Sequence, residues 1–224
     1  MEKVQTIKEK LRNHMPNPPS TNTVACTLLW SAVTRARMQR VLELESEMSR
    51  LPMAVNGRKR IHERFVDPEA PYFGNVVLCS WVEAAVRDVA KCGRDESIEY
   101  MRQGRAFPSP DRINTGYIGV VWELVEQLID RRALYPGWDL FDSRDLFITS
   151  WADLGLYNYD FGNGLRKAQF VRIPYAEVNG NVIILPRRRC VSGEASEEGL
   201  EMVVMLRRDD LEVLKMDDLW KLSK

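Results

Sequence analysis

The sequence predicts a mixed α/β fold in which helices flank a sheet. Helical patterns and short runs rich in β-branched residues alternate along the chain, and this interleaving is typical of the class. Hydrophobic residues make up 45% and charged residues 29% of the 224 residues, as in ordinary globular domains. No repeat and no clear interdomain linker interrupts the pattern, so residues 1–224 are predicted to form one domain or a tight pair.

The helix predictions begin near the N-terminus. Residues 2–11 carry apolar side chains at helical spacing, and a proline cluster ends this helix. Residues 23–37 are almost continuously apolar up to Val33, which predicts a helix buried on most sides, with Ser20 or Thr21 as its N-cap. Further helices are predicted over residues 81–90, 96–105, 117–134 and 209–220.

Strands are predicted where β-branched and aromatic residues cluster between turn signals. The Asn-Gly pairs at positions 56–57 and 179–180 mark two of the turns. The predicted strands cover residues 51–58, 72–81, 147–151, 169–173, 181–185 and 200–206.

Charge and composition argue against several classes of function. Lys plus Arg and Asp plus Glu number 32 each, so no global field attracts nucleic acid or an anionic membrane. Because the sequence shows neither an 18-residue apolar run nor a signal peptide, we expect a soluble, cytoplasmic protein without a membrane partner. Its four cysteines form no C-x-x-C pair, which predicts free thiols rather than a zinc site or a disulfide framework.

Self-contained catalytic and cofactor motifs are absent from the sequence. It has no G-x-S-x-G elbow, no Walker loop, no H-E-x-x-H and no G-x-G-x-x-G that opens a helix. We therefore expect no bound cofactor and no metal. The two histidines, His14 and His62, lie in polar surroundings and are interpreted as surface imidazoles, with a catalytic role for His62 kept as a weaker hypothesis.

The central stretch of the chain is residues 147–164, an apolar strand that leads into the sequence Asp-Phe-Gly-Asn-Gly. Gly162 and Gly164 mark a backbone bend, because glycine takes positive φ without steric cost. Asp160 precedes Phe161 at this bend and can pair with a cation or with free N–H groups. The spacing alone favours a structural fastener over a functional site.

Three blocks in this sequence resemble the BAHD acyl-CoA-dependent acyltransferases. The Thr-Ser-Trp at 149–151 followed by Asp-Phe-Gly-Asn-Gly at 160–164 is similar to the family's T/S-S-W and D-F-G-W-G segments, with Asn163 in place of Trp. Residues 20–37 resemble its S-S/T helix ending in Ala-Arg, and residues 55–60 with 72–76 resemble V-N-G-R-x-R and Y-F-G-N-x-V. The blocks occur in family order across nearly the whole chain. The ending, with Arg166-Lys167, Leu185-Pro186 and residues 209–220, resembles the fungal trichothecene 3-O-acetyltransferase-like branch more than plant members.

The resemblance implies a fold and a structural ion pair. It implies a chloramphenicol acetyltransferase-like fold, a mixed sheet with flanking helices, of which residues 1–224 would form a single C-terminal lobe. In the family the Asp of the glycine motif pairs with the Arg of V-N-G-R, so Asp160 is expected to pair with Arg58. Loss of a buried partner would leave an uncompensated charge, which predicts that Arg58→Ala unfolds or misfolds the lobe.

The resemblance also implies a reaction in which acyl-CoA is the cosubstrate and a small-molecule hydroxyl or amine is the acceptor. Thr149 and Trp151 would line the reacting centre, where a hydroxyl can donate to the developing oxyanion. Ser20 and Thr21 either contact CoA at a helix N-terminus or serve as a plain N-cap, and the sequence leaves both readings open.

The family's catalytic base is missing from the sequence. That base is the His of H-x-x-x-D in the N-terminal lobe, and neither histidine here has Asp at the fourth following position. The leading hypothesis is therefore a C-terminal lobe that is inactive alone and pairs with an N-terminal lobe or with a second copy. The alternative is a non-catalytic, truncated paralogue that binds a small apolar metabolite or pairs with a separate lobe.

Overall fold

Helices and strands alternate in a computed structural model that describes residues 2–13, 19–92, 121, 123, 125–127, 138–139, 144–174, 178–186 and 200–218. The helices within these ranges are α1 (Glu2–Arg12), α2 (Thr21–Arg40), α3 (Arg58–Ile61), α4 (Val86–Lys91) and α5 (Arg208–Met216), with 3-10 turns at Leu42–Ser46 and Glu63–Val66. The strands are β1 (Met48–Asn56), β2 (Val77–Ala85), β3 (Phe147–Ser150), β4 (Asn181–Leu185) and β5 (Glu201–Met205).

The five described strands form one mixed sheet in the order β2-β1-β3-β4-β5. The central strands β1, β3 and β4 run parallel to one another, while β2 and β5 pair antiparallel at the two edges. The parallel register places Ile148 beside Met53 on one side and beside Val182 on the other. The carboxyl ends of β3 and β4 therefore lie next to each other at one end of the sheet.

Helix α2 packs across one face of this sheet and contributes six of the sixteen buried residues of the hydrophobic core cluster. Twelve of its 20 residues are buried, which explains why its sequence is apolar on nearly all sides. Trp30 is completely buried, and its core neighbours are Leu51 of β1, Ile148 of β3 and Ile184 of β4, among others. Helices α1, α4 and α5 pack around the remaining sides of α2.

The basic C-terminal half of α2 is fixed by charged partners. Arg35 forms a two-pronged ion pair with Asp217, and Arg40 forms one with Asp210. Arg37 is 1% exposed and donates from Nη1 to the backbone oxygen of Asp145 over 2.9 Å. Burial lowers the pKa of Arg37 to about 10, so its guanidinium remains charged at neutral pH.

Most of the element predictions are confirmed within the described residues. The helices at residues 2–11 and 23–37 appear as α1 and α2, the strand at 181–185 as β4, and the strand at 200–206 as β5. The helix at 209–220 is α5, which ends earlier, at Met216. The prediction for residues 96–105 and most of that for 117–134 fall outside the described residues.

Two element predictions are wrong, and the strand predicted over residues 72–81 is wrong in part, because β2 begins only at Val77. Residues 81–85, predicted to begin a helix, continue strand β2, because this segment pairs with β1 up to the contact between Ala85 and Met48. Val82 and Ala84 alternate into the core, which is the burial pattern of a strand. Residues 169–173, predicted to be a strand, have no regular pairing partner in the part of the chain that the structure describes.

Candidate functional site

A cavity of about 710 Å³ opens at the carboxyl end of β3, on the face of the sheet that α2 covers. Crevices at the carboxyl ends of parallel strands are common ligand sites in α/β proteins. The cavity is surrounded by residues of α1, the start of α2, the turn after β3, the residue after β4 and the residue before β5. The described lining residues are Lys8, Ser20, Thr21, Asn22, Ser150, Ala152, Asp153, Gly155, Leu156, Tyr157, Asn158, Pro186 and Leu200.

One wall of the cavity is the N-terminus of α2. The Ser20 hydroxyl accepts a hydrogen bond from the backbone N–H of Thr23 over 3.1 Å, so Ser20 is the N-cap. Lys8 Nζ of α1 donates to Thr21 Oγ1 over 2.7 Å, which fixes an ammonium group beside the helix terminus. The positive end of the helix dipole and the Lys8 charge both favour an anion in this part of the cavity.

Thr149 and Trp151 do not line this cavity. Ile148 faces the core under α2, and side chains alternate along a strand, so Ser150 faces the cavity while Thr149 faces the opposite side of the sheet. The backbone N–H of Trp151 donates to the Ile184 oxygen over 2.8 Å, which continues the ladder and puts Trp151 on the side of Thr149. Their place beside a reacting centre stays a prediction.

The glycine motif folds into an exposed turn. Gly162, Asn163 and Gly164 have φ of 68°, 47° and 83°, so the predicted bend is present at both glycines. Asparagine tolerates this left-handed region better than a bulky aromatic residue, and Asn163 therefore suits the turn where the family motif has Trp. Asp160 accepts a hydrogen bond from the Gly162 N–H through Oδ1 over 2.8 Å, which closes the turn on itself, and Phe161 is exposed.

Asp160 and Arg58 do not form the expected ion pair, so this prediction is wrong. Arg58 instead donates from Nη2 to the Gly74 oxygen over 2.7 Å and from Nε to the Tyr72 oxygen over 3.4 Å. The Asp160 carboxylate is exposed and is already used by the N–H of Gly162. Both groups therefore have partners close in sequence, and an exposed ion pair would add little to them.

The corrected geometry changes the expected effect of Arg58→Ala. This variant should fold, with a loss of about 1–2 kcal/mol in the free energy of unfolding, because it removes hydrogen bonds from a partly exposed loop rather than from a buried ion pair. Urea denaturation followed by circular dichroism measures the loss. Asp160→Ala is the matched control, and insoluble Arg58→Ala protein beside a normally folded Asp160→Ala would contradict this expectation.

A match to a sequence profile shows the family of the chain. The sequence profile described as the Transferase family matches residues 1–219. The chain belongs to this family, the BAHD-type acyltransferases. The resemblance in the three sequence blocks is thereby confirmed.

Individual relatives are fungal acetyltransferases about twice as long. Trichothecene 8-O-acetyltransferase of Fusarium sporotrichioides is 29% identical over 230 residues, covering 96% of this chain and 46% of that protein. O-acetyltransferase pboB of Aspergillus ustus is 26% identical over 216 residues, covering 90% of this chain and 41% of that protein. The chain thus spans about half the length of the curated relatives it matches.

A solved acyltransferase structure has the same fold. The structure of F. sporotrichioides TRI101 complexed with coenzyme A and T-2 matches with a TM-score of 0.73 at 20% identity, over 98% of this chain and 47% of that chain. The predicted class, a mixed sheet with flanking helices, is therefore confirmed.

The BAHD family uses a histidine as its catalytic base, but His62, the histidine that the structure describes, does not line the cavity. His62 lies on an exposed loop, and its Nδ1 accepts a hydrogen bond from the backbone N–H of Arg64 over 3.2 Å. His62 therefore caps the following 3-10 turn, as a structural residue would. His14 lies outside the described residues.

The described cysteines are poor nucleophiles, and the described residues offer no group of metal ligands. Burial raises the pKa of Cys26 and of Cys92 to about 12, so both side chains are protonated thiols at neutral pH. Cys79 is also a free cysteine, and burial raises the pKa of its thiol. Among the described residues, no group of His, Cys, Asp and Glu side chains could hold a metal ion, and no helix is long and apolar enough to cross a membrane.

Lys8 is one of several lining residues that the sequence does not predict as part of the site. It directly follows Ile7 on α1, which is 5% exposed, so helical periodicity places Lys8 at the border of the buried stripe. That position indicates a partly buried lysine. Its contact with Thr21, thirteen positions away in sequence, depends on how α1 packs against α2.

Proposed function

We propose that this chain is one lobe of an acyl-CoA-dependent O-acyltransferase that acts on a hydroxyl, or an amine, of a small secondary metabolite. In this proposal the cavity beside α2 holds an anionic part of acyl-CoA, and a second lobe supplies the general base. The observation that carries the proposal is the cavity of about 710 Å³ built against a capped helix N-terminus and the ammonium group of Lys8. The cytoplasmic location expected from the sequence remains part of the proposal.

The relatives support the choice of substrates. The F. sporotrichioides relative is named for acetyl transfer to a trichothecene oxygen, and the TRI101 structure contains coenzyme A. Coenzyme A carries several phosphate oxygens, which are the acceptors that a helix N-terminus and a lysine bind best. The same chemistry in this chain would use the N-terminus of α2 and Lys8.

The lining of the cavity favours acyl-CoA over the alternative of a small apolar metabolite. Lys8, Ser20, Thr21 and Asn22 give one wall a cation, two hydroxyls and an amide. An apolar ligand would leave these polar groups without the water that they contact in the free protein, at a cost in binding free energy. An anionic, hydrogen-bonding ligand would replace that water.

The chemistry requires a general base, and no histidine is found among the described residues that line the cavity. In acyl transfer from a thioester, a base removes the proton of the acceptor hydroxyl, and the oxygen attacks the thioester carbonyl. The tetrahedral intermediate then collapses, and the CoA sulfur leaves and takes up a proton. The sequence contains no H-x-x-x-D, and His62 caps a surface turn, so the proposal assigns the base to a second lobe.

Calorimetric titration with coenzyme A tests the proposal. The chain alone should bind coenzyme A and should show no acetyl transfer from acetyl-CoA to a trichothecene hydroxyl. Lys8→Ala should weaken binding about 10-fold, because a charge-assisted hydrogen bond to phosphate is lost. Lys8 is preferred over Ser20 for this test, since removing the N-cap would also destabilise α2.

Two matched variants sharpen the titration. Lys10→Ala removes the same charge from the same helix but from a residue outside the described lining, so its affinity should stay near that of the wild type. Asp153→Asn removes the one carboxylate among the described lining residues and should tighten binding. Equal weakening by Lys8→Ala and Lys10→Ala would place the ligand elsewhere, and acetyl transfer by the purified chain would refute the need for a second lobe.

A further inference from the structure

A second cavity, of about 470 Å³, lies at the end of β4 opposite to the cavity beside α2. Its described lining includes Val178 and Asn179, which precede β4, and the last residues of β5. The cavity beside α2 instead reaches Pro186, which follows β4. Because β4 is five residues long, roughly 16 Å of strand lies between the two ends. The two cavities share no described lining residue and are therefore separate.

The wall of the second cavity is mainly apolar. Eight of the ten described lining residues are apolar, and Val203, Met205, Leu206 and Leu211 are among them. These four residues are half-buried, so they still expose apolar surface to water. Apolar walls around a volume of this size are typical of small-molecule pockets. A ligand with an apolar chain would gain binding free energy by covering this surface.

The one charged group in the described lining is the guanidinium of Arg207. Arg207 is exposed and is the N-cap residue of α5, where its side chain cannot accept a hydrogen bond from the first turn. The first N–H groups of a helix have no partner within the helix, and the helix dipole favours an anion there. Arg208 and Asp209, the next two residues, carry opposite charges that offset each other. A carboxylate at this end of the cavity would therefore meet a cation as well as helix donors.

A buried arginine adds positive charge near the first turn of α5. Arg37 is 1% exposed, and its Nε and Nη2 atoms have no hydrogen-bond partner among the described residues. Burial lowers the pKa of Arg37, and the charges of Asp210, Arg40, Asp145 and Arg207 also act on this pKa, so these residues lie near it. Both carboxylate oxygens of Asp210 already accept from Arg40. Three arginines thus face two aspartates, which leaves one positive charge in excess for a bound anion.

We propose that the second cavity binds a small amphipathic carboxylate, an acid with a short apolar chain. The carboxylate pairs with Arg207 at the start of α5, and the chain packs on Val203, Met205 and Leu211. One cation at the end of an apolar wall selects this class of ligand. A purely apolar ligand would make no use of the guanidinium, and a small polar anion would gain nothing from the wall. The inference does not depend on the function proposed for the cavity beside α2.

Calorimetric titration of the 224-residue chain with octanoate tests the inference. Octanoate should bind saturably, at one site per chain. Arg207→Gln should weaken this binding at least about 10-fold, because a charge-assisted hydrogen bond is lost. Arg208→Gln is the matched control, since it removes the same charge from the adjacent residue, which lies outside the described lining, and its affinity should stay near that of the wild type. Circular dichroism verifies that both variants are folded.

Two further titrations test the class of ligand and the place where it binds. Octanol has the same chain without the charge and should bind much more weakly than octanoate. Saturating coenzyme A should leave the octanoate affinity unchanged. The inference would be overturned by the absence of saturable octanoate binding, by equal affinities for octanol and octanoate, by equal weakening in the two arginine variants, or by competition with coenzyme A. Octanoate binding in a chain that fails to bind coenzyme A would support the inference and refute the proposed function alone.

Discussion

Trp30→Ala is expected to lower the free energy of unfolding by about 3–5 kcal/mol. The Trp30 side chain is 0% exposed at the centre of α2, and its Nε1 donates to Ser49 Oγ over 2.9 Å. The Ser49 hydroxyl in turn donates to the Arg144 oxygen over 2.6 Å, so the indole also orients a link from β1 to the segment before β3. Alanine would leave a large void and would remove the donor to Ser49. Urea denaturation followed by far-ultraviolet circular dichroism measures the loss.

Trp30→Phe separates the two contributions. Phenylalanine keeps most of the buried volume and loses the indole N–H, so we expect a smaller loss of about 1–2 kcal/mol. Small domains are stable by only about 5–15 kcal/mol, which makes the alanine variant the one most at risk of unfolding at room temperature. Equal losses for the two variants would mean that the hydrogen bond to Ser49, rather than packing, determines the stability of this core.

The sequence predicts those elements whose boundaries carry strong local signals. Strand β4 was predicted at its observed limits, because Asn179 and Gly180 form a turn before it, with Gly180 at φ 82°, and Pro186 follows it. Helix α2 was predicted because a long apolar run with a Ser or Thr before it has few alternatives. The N-cap function of Ser20 follows from the same signal.

Where local propensity and tertiary pairing disagree, the pairing decides. The segment at residues 81–85 contains alanine and glutamate, which favour a helix, yet it completes a nine-residue antiparallel pairing with β1. The segment at residues 169–173 has β-forming residues but no regular partner strand among the described residues. The first segment is decided by its pairing with β1, and the second by the lack of such a pairing among the described residues.

The site was only partly predictable for the same reason. Ser20 and Thr21 were predicted from a local capping signal, and both line the cavity. The sequence around Thr149 predicts a strand, but the strand alone does not decide whether Ile148 or Thr149 faces the core; the packing of α2 on the sheet decides it. Lys8 enters the site only through the contact of α1 with α2, which no local pattern specifies.

The hydrophobic core of the described residues is separate from the apolar surface that they expose. The core between α2 and the sheet is complete within the described residues, with Leu29, Ile148 and Ile184 all fully buried. The exposed large apolar side chains lie mostly in two segments of the described chain, residues 66–81 and residues 159–170: Val66, Tyr72, Phe73, Val77, Trp81, Tyr159, Phe161, Leu165 and Phe170. Truncation of a core side chain should therefore lower stability, while truncation of these exposed side chains should change it little.

Arg35→Ala is expected to lower the free energy of unfolding by about 3 kcal/mol, because it removes a two-pronged ion pair from a largely buried carboxylate. The Arg35 guanidinium donates to both oxygens of Asp217 over 2.7 and 2.9 Å, and each side chain is 12% exposed. It also donates to Ser31 Oγ over 2.6 Å and to the Ala90 oxygen over 2.8 Å. One side chain thus connects α2 with α4 and with the end of α5.

Lys215→Ala is the matched control on α5. Lys215 pairs with Glu212 over 2.7 Å, but both side chains are 64% exposed, so this variant should lose less than about 1 kcal/mol. Added salt distinguishes the two variants further, because ions screen the exposed Lys215–Glu212 pair strongly and the buried Arg35–Asp217 pair weakly. The loss caused by Arg35→Ala should therefore persist in 1 M salt, about where the screening length falls to 3 Å. A loss for Arg35→Ala no larger than that for Lys215→Ala would show that the α5 end is held by its apolar contacts, with Leu214 as the first side chain to test.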